Sequence, residues 1–148
     1  MTGVLLVYFA WPVAQGAWYA QQADSVVSGL RGGRRVDLAD TVAAIEAFND
    51  AVRADPSAMM RLSRSELLVG AAVGFNRAAA DSEREKWLRE AEADLSAGLG
   101  GVPARGVAWL RLAVVREALE GASPRVVAPL LRSIATSPVV PRLWPTRL

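Results

Sequence analysis

Residues 91–110 read AEADLSAGLGGVPARGVAWL, and the fold turns on how this stretch is divided. Ala91, Leu95 and Gly98 fall at steps of four and three, which places them on one face of a helix. The large apolar residue sits between two small ones, so that face can approach a neighbouring helix closely. Gly98, Gly100 and Gly101 weaken the helix, and Pro103 ends it, because the residue before a proline avoids helical geometry. Six positions beyond Pro103 stands Trp109, which opens GVAWLRLAVVREALEG, a second helical pattern stopped by Gly121. The stretch therefore predicts a helix, a turn and a helix.

The same phasing recurs on both sides. Ala44, Phe48, Ala51 and Pro56 repeat the spacing upstream, and Val126, Leu130, Ser133 and Pro138 repeat it downstream. Each proline is followed after six residues by a large apolar side chain: Leu62, Trp109 and Trp144. Three phased copies predict helices over about 37–55, 57–80, 81–98, 106–121 and from Pro124 onward. Asp40 or Thr41 is placed to cap the first. Ser63 and Glu66 have capping-box spacing, which would start the second one turn later. Pro124 suits a first helical turn.

This pattern resembles the tetratricopeptide repeat, in which W-x2-L-G-x2-Y on one helix is joined to A-x3-F and a closing proline on the next. Trp109, Leu112 and Ala113 match the first half, and Arg116 stands where an aromatic residue is usual. Pro103 and Pro138 are 35 residues apart, near the family's 34. Pro56 and Pro103 are 47 apart, an insertion around GFNRAAADSER, and Ser65 is a poor match. The resemblance covers roughly residues 37–148. It implies stacked α-hairpins with a groove that binds protein segments and carries out no catalysis. Arg61, Arg64, Asn76 and Arg111 are the expected groove residues, and the arginine side chains among them would favour acidic segments. Trp144 would then be the remnant of a further repeat, folded back over the open end of the array.

At the other end, residues 3–20 read GVLLVYFAWPVAQGAWYA, with no charge. As a helix the run spans about 27 Å, close to a hydrocarbon core of roughly 30 Å. It predicts a single membrane-spanning helix, with Trp18 and Tyr19 at the interface. Ala10 and Ala14, and Gly16 and Ala20, supply small residues for packing against another membrane helix. Two other readings stand beside this one. A cleaved signal peptide would use Ala14-Gln15-Gly16, although no basic residue precedes the run. A buried core helix is opposed by Pro12. Arg31, Arg34 and Arg35 follow at once and direct the C-terminal part to the cytoplasm. Only Met1 and Thr2 precede the run, so the side of the soluble domain stays open.

The expected fold is all-α, with a single N-terminal transmembrane helix followed by a short tetratricopeptide-repeat-like α-hairpin domain. Residues 1–23 are the anchor, 24–36 a Gly/Arg-rich linker and 37–148 the helical domain.

The 148 residues contain no cysteine and no histidine, which removes disulfides, thiol chemistry, imidazole catalysis and Cys/His metal sites. No phosphate-binding loop is present. Glu90 and Asp94 are four apart but lie on a charged helix and read as a solvated face. Seventeen basic and fifteen acidic residues leave a net charge of +2, with the arginines dispersed, so no nucleic-acid footprint is expected. No cofactor and no catalytic residue is assigned. The chain reads as a membrane-anchored interaction or scaffold protein of a bacterial inner membrane, with the bilayer and one or more membrane proteins as partners. The alternatives are an accessory, non-catalytic subunit of a larger membrane complex, or a periplasmic module for an envelope polysaccharide.

Overall fold

The computed structural model describes residues 2–32, 34, 36–73 and 79–137, with side chains from Ala10 onward. Phe75, Asn76, Pro138 and Trp144, together with Gly33 and Arg35, lie outside the described residues. Within them the fold is all-α, with seven helices: α1 (Thr2–Gln22), α2 (Asp24–Arg31), α3 (Leu38–Ala54), α4 (Ala58–Val73), α5 (Asp81–Gly101), α6 (Gly106–Glu120) and α7 (Pro124–Thr136).

The helices pack as a series of neighbours, and the result is helical-repeat-like. α4 lies along α5 and α6 along α7, while α1 packs on α3; α3 then joins α4, and α5 joins α6. Gly98 shows why α4 and α5 come so close. A Cβ at that position would stand 2.7 Å from Leu62 Cγ and Cδ2. Ala44, Phe48 and Ala51 on α3, and Ala91, Leu95 and Gly98 on α5, are buried as their phasing predicts. The third copy is less complete: Ser133 is buried on α7, but Val126 and Leu130 are half-buried. Val127, Leu131 and Ile134 stand exposed on the outer face of α7.

The step from Pro103 to Trp109 has a direct physical basis. The Trp109 indole N–H donates to the Pro103 carbonyl at 2.7 Å, which closes the turn onto α6. Gly106, at the start of α6, faces the end of α7: a Cβ there would collide with the Ser137 side chain. The two helices of this hairpin therefore run antiparallel.

The membrane anchor is corrected by the structure. No helix among the described residues is long and apolar enough to cross a membrane. α1 lacks charge, but absence of charge is not apolarity: Pro12, Gln15, Gly16 and the polar tips of Trp18 and Tyr19 dilute the run. Its C-terminal half packs within the chain. A Cβ on Gly16 would stand 2.8 Å from Asp55 Cβ and 3.2 Å from the Ala51 carbonyl. Tyr19 and Ala20 are half-buried against the core, whereas Ala10, Ala14 and Trp18 are exposed. The single-pass inner-membrane placement loses its basis with the anchor.

Three local expectations also change. Asp24–Arg31, where Gly and Arg suggest a linker, form α2, and Val26, Val27 and Gly29 are buried there. Asp37 rather than Asp40 or Thr41 caps α3, accepting from the Ala39 amide at 3.2 Å. α4 starts at Ala58 without the Ser63–Glu66 capping box. Ser57 Oγ instead accepts from the Met60 amide at 3.3 Å, and Asp55 accepts from the Ser57 amide at 3.1 Å.

Candidate functional site

Glu66 projects from the middle of α4 towards two arginines on different helices. Arg31, the last residue of α2, binds it in a forked pair, Nε to Oε1 at 2.7 Å and Nη2 to Oε2 at 3.0 Å. Arg111 on α6 reaches Oε1 with Nη2 at 2.9 Å. One carboxylate thus ties together α2, α4 and α6. Arg105, just before α6, stands beside them and donates to Met59 Sδ at 3.3 Å; it makes no ion pair among the described residues. Two guanidiniums therefore hold one carboxylate, and a third lines the cleft beside it.

The arrangement shifts all three charges of the bridge. Burial alone would raise the Glu66 pKa, but the hydrogen bond from Arg31 and the attraction of Arg111 and Arg31 outweigh it and hold the carboxyl below its ordinary value. Arg111 is pushed down, first by burial and then by repulsion from Arg31 and Arg105, with Glu66 opposing. Arg31 is pushed up by its hydrogen bond to Glu66. An arginine remains charged throughout the physiological range.

A cleft opens on each side of the bridge. One, of about 190 Å³, is walled by apolar side chains, including Val27, Leu30, Leu67 and Val69. The other, of about 250 Å³, is lined by Met59, Ser63, Arg105 and Val107. Both share Arg31, Glu66 and Arg111. Together they form a groove with an apolar end and a cationic end.

Of the expected groove residues, only Arg111 is found here. Arg64 and Arg61 turn to the other side of α4, where they meet Asp94 of α5. Arg64 Nε lies 2.5 Å from Asp94 Oδ2, and Arg61 Nη1 lies 3.5 Å from Oδ1. Arg64 Nη1 also donates to Asn49 Oδ1 on α3 at 2.9 Å. Asp94 is only 1% exposed, so this is an internal tie between α3, α4 and α5 and not the solvated face its helix suggests. Asn76 lies outside the described residues.

Sequence reasoning missed Arg31, Glu66 and Arg105. Arg31 was concealed by the glycines after it, which read as a linker, and Glu66 by its capping-box spacing. The one available signal was Val26, Val27 and Leu30, whose steps continue a helix up to Arg31. No family model, no curated protein and no solved structure matches this chain.

Proposed function

We propose that this chain is a protein–protein interaction module of the tetratricopeptide-repeat-like kind, which holds an acidic segment of a partner in the groove between α2, α4 and α6. The observation that carries this reading is the excess of cations along the groove, which three arginines line against one carboxylate. Arginine forks match carboxylates in geometry as well as charge, and partial burial strengthens the interaction. A partner segment would place an acidic side chain against Arg105 and Arg111. A neighbouring apolar side chain would enter the cleft beside Leu30 and Val69.

Fluorescence anisotropy with short labelled peptides of acidic, neutral and basic composition tests this. The full chain should bind the acidic set, with affinity falling as salt rises. Arg105→Glu should abolish the preference. Equal binding of all three sets, or an unchanged preference in Arg105→Glu, would remove the reading.

A second reading, an accessory subunit of a larger protein assembly, is favoured by Trp11 and Trp18, which are 65% and 64% exposed on α1. Exposed aromatic residues of this size commonly mark contact surfaces. Here Trp11→Ser with Trp18→Ser would break association while Arg105→Glu would leave it intact.

A further inference from the structure

A separate cleft of about 400 Å³ lies between the C-terminal end of α5, α6 and α7, and it shares no lining residue with the Glu66 groove. We infer that it binds a small organic anion, an oxyanion head on a flat apolar body. Its volume is in the range of about 300–1,000 Å³ found for small-molecule sites. Leu112 and Trp109 line it from α6, Leu99 from α5 and Pro129 from α7. Among the described residues no acidic side chain lines it, but Arg116 and Arg132 do.

The two arginines differ in a useful way. Arg132 holds its guanidinium 4.8 Å above the Trp109 ring centroid, and its side chain makes no hydrogen bond or ion pair among the described residues. The ring orients this cation and leaves its donors available. Arg116 uses Nε on Glu92 at 2.9 Å and Nη1 on the Arg125 carbonyl at 3.1 Å, so Nη2 has no acceptor among the described residues. Trp109 is itself fixed by its bond to Pro103. The site is thus organised before any ligand arrives, which lowers the entropy lost on binding. An oxyanion takes the free guanidinium donors, and its apolar body packs beside the half-buried indole and the exposed Ala128. A carboxylate and a phosphate monoester share this chemistry.

The test uses the full chain labelled with 15N, with the Trp109 indole N–H signal identified by its loss in Trp109→Phe. Phenylacetate, phenyl phosphate and inorganic phosphate are titrated separately. The expected result is a saturable shift with at least one of the two organic anions, and the stronger of them identifies the head group. Inorganic phosphate should bind more weakly, and Arg132→Ala should weaken the organic anion by about tenfold or more, as for loss of a charged hydrogen bond. Arg132 is exposed, so its replacement leaves the fold intact. No saturable shift, equal affinity in Arg132→Ala, or inorganic phosphate as tight as both organic anions would overturn the inference. Arg132 would then be a surface cap on Trp109 and nothing more.

Discussion

Arg116 donates from α6 to the Arg125 carbonyl on α7, the carbonyl that Pro129 leaves without its helical donor. Proline has no N–H, so a proline inside a helix removes the bond to the carbonyl four residues earlier. The arginine from the partner helix fills that vacancy while its Nε holds Glu92.

A double-mutant cycle measures this compensation. Arg116→Leu should cost about 0.5–1.5 kcal/mol through this contact, the usual net contribution of a hydrogen bond whose acceptor water can reach. In a Pro129→Ala background the helix supplies its own donor, so the same replacement should cost less. Urea unfolding of the four proteins should give a coupling above about 0.5 kcal/mol. Additive effects would mean that the Arg125 contact contributes nothing.

Breaking the Asp94 tie should be more damaging. Arg64→Met leaves a buried carboxylate with only the longer contact to Arg61, and removing one member of a buried pair costs about 3 kcal/mol. Replacing Asp94 by Asn in the same protein should recover part of that loss, because the uncompensated charge is gone. Thermal unfolding of the single and double variants is the direct check.

Gly98 and Gly100 make opposite predictions from almost the same place in α5. At Gly98 a Cβ collides with Leu62, so Gly98→Ala should destabilise by about 1–3 kcal/mol despite its better helix propensity. At Gly100 nothing lies within 4 Å of the added Cβ, so Gly100→Ala should stabilise by up to about 1 kcal/mol. Denaturant midpoints that move in the same direction would contradict the close approach of α4 and α5.

Acid should loosen the groove. The Glu66 pKa is lowered in the folded protein, so the bridge adds stability above the unfolded carboxylate value of about 4.3. That stability is lost as pH falls through the folded value. Urea midpoints from about pH 5 to about pH 3 should fall more steeply for the natural chain than for Glu66→Gln. Parallel profiles would assign the acid response to other carboxylates.

The hairpins were legible because prolines and glycines end helices by local sterics, and because Ala91, Leu95 and Gly98 signal a close face through size alone. Trp109 was placed correctly at the opening of α6, although only the structure reveals its bond to Pro103. The ion pairs were not legible. Asp94 meets Arg64 across 30 residues and Glu66 meets Arg31 across 35, and local charge patterning carries no information about which helices will be neighbours. α1 misled for a different reason: an uncharged run resembles a membrane segment until the moderate polarity of its Trp, Tyr, Gln and Pro residues is weighed.

From α3 onward the order in which the helices pack is also the order in which they are synthesised. α5 completes a surface that α4 has already presented, and α7 does the same for α6, so each hairpin finds its partner a few dozen residues after it begins. Such local pairing shortens the search that the backbone makes before its first productive encounter. On the ribosome, α4 and α5 can close before α6 has emerged, and the nascent chain hides its apolar faces as it grows.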